Sequence, residues 1–515
     1  MSLTFSRKKP PSLLSRSPVK SLHSHITSEG FDFFAINTAM SRQLLETEQK
    51  ALEINLDASI YGAFAEIGAG QEVARYFFQV GAAAGTIAKT MSAYDKVVSD
   101  DIYGPEVKGR YVCESRIYKM LDHEYNLMLK RLRGERPDAQ LFSFADTIAA
   151  INYTRTIKGD GWMGLRFQLS PDSEPNDIIL HVKMKDNDNH LQQQAVGILG
   201  VNMIYGCFRY HENPEELIVS LTDSLRGRIQ IDMVRLSGPD FADLDNRLIC
   251  LWLIKHGLSD VAMFNADKQP IHASEFLYRK HTMIVRGSFR PATVVNLDMI
   301  KQSWEQFKNE ETVDPRKSAL LTEVTWDNLC AATAAEGTDE KDFLDRADIL
   351  CALGQTVVIS NCEQYVKLVE YLADYRIPSI GLVIGVQQLL TLINEKYYAN
   401  LDGRLLAAFG EIFTRNTKFY VYPSLQEGSE ELMTAQNLPV PEGVTFLYQH
   451  LLKSQQITDV ENFNADLLHI FSKEVLYMLQ EDEDGWEELV PAKVASLIKE
   501  KCLFGFPFQQ IEFEY

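Results

Sequence analysis

The stretch that decides the fold runs from Thr282 to Asp298 and reads TMIVRGSFRPATVVNLD. Its apolar run at 283–285 predicts a buried strand. The segment 286–288, with the small residues Gly287 and Ser288, predicts a tight turn at the end of that strand. Pro291 prevents an immediate helix, and Asn296 or Asp298 can cap the next one. Because α/β proteins place ligands at such strand-to-helix turns, we expect a binding site here.

Strand-like and helix-like segments alternate on both sides of this stretch. The strand-like runs are 229–236, 261–265, 282–287, 319–325, 356–360, 379–385 and 418–422. The helix-like segments between them are 247–256, 274–279, 297–307, 342–353, 363–375 and 387–413, the last broken near Gly403. Strands that alternate with helices predict a parallel sheet, and near-continuous apolar runs predict strands buried on both faces.

Two further strand-like segments, 161–169 and 177–184, predict a β-hairpin. Counting 177–184 with the seven runs above gives eight strands, enough for a (β/α)8 barrel of about 250 residues. The hairpin would make that extra strand antiparallel, and several connections are short for an outer ring of helices. We therefore predict largely parallel, doubly wound, Rossmann-like sheets with flanking helices, with the barrel as the alternative.

Composition divides the chain into four regions. Residues 1–48, basic and rich in Ser and Pro with no acid before Glu29, predict a disordered tail, with an organelle transit peptide as the alternative. Residues 49–160 predict a mainly helical Gly/Ala-rich region in which 51–56 is a strand or an extended lead-in. The α/β domain or domains occupy 161–423, and 424–515 predict a helical C-terminal extension. The aromatic end, 503–515, predicts docking on its own chain or on a partner subunit.

The totals exclude several classes of protein. A net charge of −20 argues against nucleic acid as a partner, since phosphate neutralisation needs clustered Lys and Arg. No apolar run approaches the roughly 20 residues that cross a bilayer. The seven cysteines are scattered and none forms a C-x-x-C pair, which favours a reducing, cytoplasmic compartment without a structural zinc site. The Gly/Ala-rich stretch at 63–90 and the aromatic end favour a homo-oligomer.

Candidate ligand-binding residues follow the ends of the predicted parallel strands. Arg286 and Arg290 flank a Gly-Ser turn and can bind a phosphate or carboxylate through bidentate hydrogen bonds, helped by the next helix N-terminus. In the alternative interpretation, the two arginines pair with nearby acids and hold the loops in place. The residues assigned to the phosphate-binding site are Arg286, Gly287, Ser288, Arg290, Thr293, Asn296, Ser360 and Asn361.

Other catalytic signatures are missing from the sequence. It contains no nucleophile elbow, no His-Glu-x-x-His and no G-x-G-x-x-G after a strand. We therefore assign no catalytic residue and no metal ligand, and we interpret His181 as a packed side chain. A Ser/His/Asp set cannot be assembled from the sequence alone. Mg²⁺ is expected only if the reaction is nucleotidyl transfer.

The decapeptide at 287–296 resembles the Gly-Ser/Thr-Phe-Asp-Pro-x-His-x-Gly-His opening of the nicotinate mononucleotide adenylyltransferases. Residues 51–104 and 342–361 are also similar to a large bacterial family, some members of which carry that adenylyltransferase name. In the adenylyltransferases, the glycine loop and the two histidines hold the triphosphate of ATP while the mononucleotide phosphate attacks it. Here Arg290 replaces the aspartate, Thr293 and Asn296 replace both histidines, and Val295 replaces the second glycine.

The sequence thus predicts an α/β enzyme that binds a nucleotide or another small phosphorylated metabolite. The resemblance implies a nucleotidyltransferase as the most specific version. The alternative is a non-enzymatic structural or assembly protein that self-associates. A concave site that gathers Arg286, Arg290 and Ser360 would favour the enzyme, and a filled sheet end would favour the assembly protein.

Overall fold

The alternation of strands and helices produces two sheets in the computed structural model. The structure describes residues 42–107, 109–155, 158–333, 339–398, 404–426 and 429–507. The basic tail predicted for 1–48 lies mostly outside the described residues.

The first sheet contains, among the described residues, six strands. They are β1 (Ile60–Gly68), β2 (Ile87–Met91), β3 (Gln140–Ala149), β4 (Asp160–Phe167), β5 (Asn176–Met184) and β6 (Ile229–Ser237). The strand order is β2-β1-β3-β4-β5-β6, with β1 parallel to both of its neighbours and the remaining pairs antiparallel. The predicted β-hairpin is β4–β5 and is confirmed.

Helices cover both faces of the first sheet. They are α1 (Thr47–Leu56), α2 (Glu72–Gln79), α3 (Lys96–Tyr103), α4 (Glu114–Leu132), α5 (Asn189–Arg209), α6 (Pro214–Ser220) and α7 (Asn246–Lys255). Helices α1, α2, α5 and α6 pack in the main core on one face, and α3 and α4 pack in a smaller core on the other. The strand or lead-in expected at 51–56 is wrong, because this segment is the second half of α1. The boundary predicted at residue 160 lies inside this sheet, since β3 pairs with β4.

The remaining strands follow α7. They are β7 (Val261–Phe264), β8 (His281–Arg286), β9 (Ser318–Thr325), β10 (Thr356–Ser360), β11 (Ile380–Gly385), β12 (Thr417–Tyr422), β13 (Ser424–Leu425), β14 (Leu432–Met433) and β15 (Ile457–Asp459). Strands β13 and β14 form a separate short ribbon. The seven strand-like runs of the sequence correspond to β6 to β12 and are all confirmed.

The second sheet has the order β15-β12-β11-β8-β9-β10-β7. Its strands are parallel except β7, which runs antiparallel to β10 at one edge. Numbered from β8, the parallel strands have the order 3-2-1-4-5-6 of a doubly wound sheet, with β8 as strand 1. The Rossmann-like prediction is confirmed. The barrel alternative is wrong, because this sheet is open, with edges at β7 and β15.

Helices flank the second sheet on both faces. They are α8 (Ala273–Phe276), α9 (Val294–Lys308), α10 (Trp326–Thr333), α11 (Asp339–Ala352), α12 (Tyr365–Ala373), α13 (Val386–Leu392), α14 (Arg404–Phe413), α15 (Thr445–Lys453), α16 (Ser472–Gln480), α17 (Trp486–Leu489) and α18 (Ala492–Lys501). One face packs against α9, α11, α16 and α18, and the other against α12 to α15. In the described part of the chain, no helix is long and apolar enough to cross a membrane.

We call the parts of the molecule built on the first and second sheets the first half and the second half. The C-terminal segment belongs to the second half. It contains α15 to α18, and it also supplies β13, β14 and β15, of which β15 is the edge strand next to β12. Phe504 and Phe506 are buried in the same core as α9 and α11. The prediction that the aromatic end docks on its own chain is confirmed for 503–507, and 508–515 lie outside the described residues.

Helix α7 connects the two sheets and is buried against both. Ile249, Trp252 and Leu253 pack in the core of the first sheet. Cys250, Leu251 and Ile254 pack in the core of the second. One apolar helix therefore holds the two halves together.

Candidate functional site

A cavity of about 1980 Å³ lies between the two halves. Its wall combines residues of β4 and β5 from the first half with residues around α8 and α12 from the second. Since each half supplies only one side, the site depends on the way the halves pack.

Three buried side chains form what we call the cleft cluster: His181, Asp232 and His272. The Nδ1 atom of His181 lies 2.7 Å from Oδ1 of Asp232, and Nε2 of His272 lies 3.2 Å from Oδ2 of the same carboxylate. The three residues are 1%, 3% and 4% exposed, and both histidines line the cavity. One buried carboxylate thus holds two imidazoles at the cavity wall.

Local strand geometry positions this cluster. The register between β5 and β6 shifts at His181, so that Asp232 has no partner residue on β5. Such a bulge re-aims a side chain, and here the carboxylate meets His181. Trp162 pairs with His181 across β4 and β5, and its ring lies 5.0 Å from the His181 ring and 5.4 Å from the His272 ring.

Lys183 extends the cluster towards α12. It shares a face of β5 with His181, two residues away. Its Nζ atom lies 3.3 Å from Oδ2 of Asp232 and donates a hydrogen bond of 2.7 Å to Oη of Tyr375. The ammonium group is also 4.9 Å from the ring centroids of Tyr371 and Tyr375. The ammonium group of Lys183 therefore contacts a carboxylate of the first half and two tyrosine rings of the second half.

The charges of the cluster follow from burial and proximity. Burial alone would raise the pKa of Asp232, but the neighbouring bases hold it well below its ordinary value. Burial would lower the pKa of His181, and the charges of Asp232 and Asp160 outweigh it, so that the His181 pKa is raised. Burial and the adjacent His181 lower the pKa of His272 to about 4. At neutral pH the carboxylate is ionised and His272 is uncharged.

The lining of the cavity also carries exposed bases. The side chains of Arg110, Lys185, Lys367 and Arg376 make no ion pair or hydrogen bond with any residue that the structure describes. Most acids on the same lining are occupied: Glu114 pairs with Arg235, Asp186 with Arg228 and Asp374 with Lys158. Among the described residues, the lining acids without an ion pair are Glu275, Glu370 and Asp260, the last of which accepts a hydrogen bond of 3.4 Å from Gln230. Unpaired positive charge therefore predominates at the cavity mouth.

Most of the predicted phosphate-binding residues lie at the end of β8 and in the loop that follows it. Arg286, the last residue of β8, is already hydrogen-bonded to other parts of the protein. Arg286 donates to both oxygens of Glu323, at 2.8 and 3.0 Å. It also donates to the backbone carbonyls of Cys362 and Glu363, each at 2.8 Å. Ser360 donates to Oε1 of Glu323 at 2.5 Å. Arg286, Glu323 and Ser360, which we call the β8 cluster, are thus gathered around a fully buried carboxylate.

Other residues of this loop have structural partners too. Arg290 forms an ion pair with Asp342, and Arg346 donates to the backbone carbonyl of Ser288 at 3.1 Å. Thr293 and Asn296 form a capping box at the start of α9. The alternative in which the arginines pair with acids describes the observed contacts, with Glu323 and Asp342 as those acids. Whether the loop also binds phosphate stays a prediction.

Asn361 is the one predicted site residue that lines the described part of the large cavity. It follows Ser360 at the end of β10, where its backbone N–H donates to the carbonyl of Asp260 at 2.8 Å. The sequence did not identify the cleft cluster, because its members are 51 and 40 residues apart along the chain. The signal that was present is the pair of polar residues, His181 and Lys183, at alternate positions of the otherwise apolar run 178–184.

A second buried polar pair lies in the first sheet. Glu66 and Asp146 are direct neighbours on β1 and β3 and are 2% and 0% exposed. Burial raises the pKa of Glu66 to about 7, and burial with the charge of Glu66 raises the Asp146 pKa well above its ordinary value. A Cβ atom at Gly70 would lie 1.9 Å from Oδ1 of Asp146, so only glycine fits beside this carboxyl. Glu66 also lines a separate cavity of about 470 Å³.

Together, the fold and these sites define a two-sheet α/β protein whose second sheet is Rossmann-like. No protein-family model matches the sequence, and no curated protein matches it.

Three solved structures illustrate the likeness to parts of the chain. One is the competence/damage inducible protein CihA of Agrobacterium tumefaciens, at 17% identity and a TM-score of 0.23, covering 31% of this chain and 93% of that one. A CinA superfamily protein of Klebsiella pneumoniae matches at 10% identity and a TM-score of 0.25, covering 32% and 99%. Nicotinic acid mononucleotide adenylyltransferase of Plasmodium falciparum, complexed with APC, matches at 12% identity and a TM-score of 0.28, covering 45% and 100%. Likenesses this weak carry no argument about function.

Proposed function

We propose that this protein is an enzyme that binds a nucleotide or another small phosphorylated metabolite in the cavity between its two halves. The observation that carries the proposal is the arrangement of the cavity, with unpaired bases at its mouth and the cleft cluster with Lys183 on its inner wall. Phosphate groups are bound by Arg and Lys side chains through charge-assisted hydrogen bonds.

The size of the cavity supports a ligand of this class. Ligand sites commonly occupy about 300–1,000 Å³, and about 1980 Å³ leaves room for a nucleotide together with solvent. Tyr278, which is 43% exposed and lines the cavity, offers a ring on which a base can stack. The mouth would hold the phosphates, and the imidazoles and Lys183 would meet the reacting part of the ligand.

A ligand screen by thermal shift tests the proposal. The probes are ATP, mononucleotides, sugar phosphates and inorganic phosphate, and a ligand at 100 times its Kd should stabilise the folded protein by about 2.7 kcal/mol. The test variant is Lys185→Ala with Arg376→Ala, whose side chains are exposed and have no partner among the described residues. The control is Lys473→Ala with Lys493→Ala, which removes the same charge elsewhere on the surface.

The outcomes separate clearly. We expect at least one phosphorylated probe to stabilise the wild type and the control equally, and to bind the test variant at least tenfold more weakly. Equal binding by the wild type, the test variant and the control would show that the ligand does not bind in this cavity. A complete lack of stabilisation would argue against the function itself.

A second candidate, nucleotidyl transfer at the end of β8, is favoured by the topology of the second sheet. In a 3-2-1-4-5-6 sheet, ligands bind beyond strand 1, and here the Gly287-Ser288 loop follows that strand. Phosphate would then meet Arg286, Gly287, Ser288, Arg290, Thr293, Asn296 and Ser360. We place this candidate second because Arg286 would have to leave Glu323.

The same screen distinguishes the two locations. Arg290 is partly exposed and pairs with Asp342 alone among the described side chains, so Arg290→Ala removes a charge from the β8 loop and spares the buried Arg286. Weaker binding by Arg290→Ala together with unchanged binding by the Lys185/Arg376 variant would place the ligand at β8. The reverse pattern would place it in the cavity.

A further inference from the structure

The cleft cluster has the donor set of a transition-metal site. The ligand-type atoms of His181, Asp232 and His272 all lie within 4.8 Å of one another. Two donors bound to one tetrahedral ion at 2.0–2.1 Å lie roughly 3.3 Å apart. The imidazole–carboxylate distances of 2.7 and 3.2 Å are close to that value. The two rings are stacked with centroids 3.8 Å apart, so they would have to turn away from each other to admit an ion.

The outer nitrogen of each histidine faces an oxygen. The Nδ1 atom of His272 lies 2.7 Å from Oγ of Ser274. The Nε2 atom of His181 is buried, has no hydrogen-bond partner among the described residues, and points to Oδ2 of Asp160 at 3.5 Å. Metal-bound histidines usually donate their second N–H to an oxygen, which fixes the orientation of the ring. His272 has that support from Ser274, and Asp160 lies close enough to His181 to supply it after a small movement.

The position of the cluster leaves one side open. The three side chains are nearly fully buried, but both histidines lie on the cavity wall. Catalytic metal sites typically combine three protein ligands with an open position. Lys183 is the competitor, since its ammonium group lies 3.3 Å from Asp232, but it also donates to Tyr375 and can keep that partner when an ion takes the carboxylate.

We propose that His181, Asp232 and His272 bind one divalent first-row transition ion of the zinc type, with its open coordination position facing the cavity. Imidazole nitrogens select Zn²⁺, Co²⁺ or Fe²⁺ over Mg²⁺ and Ca²⁺, which prefer oxygen ligands. An ion here would act as a Lewis acid towards an oxygen atom in the cavity. The site does not rest on the proposed function, because it is read out with metal alone.

The experiment uses the full chain after treatment with a chelator. Zn²⁺ is titrated by calorimetry at pH 8, and Co²⁺ is titrated by visible absorption. We expect one ion per chain with a Kd of roughly 1 µM or below, and the intense Co²⁺ bands of a four-coordinate site. His181→Gln and His272→Gln should each weaken binding at least 100-fold. The control is His256→Gln, which removes an exposed histidine paired with Glu215 and should leave the Kd unchanged.

A further variant keeps the proposal testable if a ligand variant does not fold. Lys183→Met retains the packing of the side chain and removes the competing ammonium group, so it should bind Zn²⁺ about tenfold more tightly. An unchanged Kd in Lys183→Met overturns the proposal. So does a wild-type Kd above about 100 µM, or a wild-type affinity that both folded histidine variants retain.

Discussion

The β8 cluster and the cleft cluster are both built around one buried carboxylate, but they differ in what surrounds it. Glu323 is met by Arg286 and Ser360, and two further donors of Arg286 are used by backbone carbonyls. Asp232 is met by two imidazoles and Lys183, and the outer nitrogen of His181 has no hydrogen bond within the described chain. The first cluster is closed by protein, whereas the second opens on a cavity.

This difference shows how a buried polar group can indicate its role. Buried polar groups are nearly always satisfied, because an unsatisfied group costs free energy. A cluster whose polar groups meet only protein holds the loops it connects. A cluster whose side chains line a cavity can also meet a ligand from outside the protein.

The largest expected effect is a loss of folding stability when the β8 cluster is broken. Arg286→Met leaves Glu323 buried without its charged partner, which typically costs about 3–5 kcal/mol. The free energy of unfolding from urea denaturation checks this value. The double variant with Glu323→Leu removes the unpaired charge and should recover most of the loss. A loss below about 1 kcal/mol in Arg286→Met would contradict a structural role for this pair.

A pH-dependent effect is expected at the third buried group, the Glu66–Asp146 pair. Because the folded-state pKa of Glu66 is raised, its contribution to stability is full below its unfolded pKa of 4.5 and is lost as the pH rises to about 7. One pKa unit corresponds to about 1.4 kcal/mol, so the loss is roughly 3 kcal/mol.

Asp146→Asn should flatten this dependence. The new side chain keeps the oxygen that accepts from the Ile67 N–H. It removes the second buried carboxyl, whose own pKa is raised by burial and by the charge of Glu66. The urea midpoints of wild type and variant are compared at pH 4.5 and pH 7.5, with Asp484→Asn, an exposed acid, as the control. Equal slopes in all three proteins would contradict a raised pKa at Asp146.

A smaller loss is expected at the cleft cluster. His272→Gln removes a neutral ring next to a cavity, and the amide can still donate to Asp232, so the cost should be about 1–2 kcal/mol. The measurement is the same urea denaturation, made on chelator-treated protein. A cost as large as that of Arg286→Met would show that the two clusters have the same structural role, and the comparison would fail.

The smallest expected effect tests the loop after β8. Thr293→Ala removes the capping box of α9 and should cost about 1 kcal/mol. Thr293→Ser keeps the hydroxyl and serves as the matched control. If Thr293 only caps the helix, the affinity for phosphorylated probes should be the same in both variants; a weaker affinity in the alanine variant alone would assign it a binding role.

The second sheet was predictable because its signals are local. Runs such as 356–360 and 379–385 are short, apolar and bounded by turns, so each one predicts a strand from its own residues. The order of the strands was not predictable, since β8 joins β9 and β11 through contacts between distant parts of the chain. The order explains why the decapeptide motif, deep in the chain, follows strand 1 of its sheet.

The first half was harder to predict. The residues of β1 include Gly62, Ala63 and Ala65, which carry little strand preference, and the strand forms because its neighbours bury it on both faces. Segment 51–56 has no strand partner and is helical because Ala51 and Ile54 reach the core from one face. The cleft cluster needs residues from both halves and a bulge at Asp232, none of which a local pattern contains.

Helix α7 has a mechanical consequence for the protein. Because its side chains belong alternately to both cores, pulling the halves apart would expose apolar surface on both of its sides at once. A molecule stretched between its two halves should therefore resist as one body and give way in a single rupture, with no early step in which the cavity merely gapes.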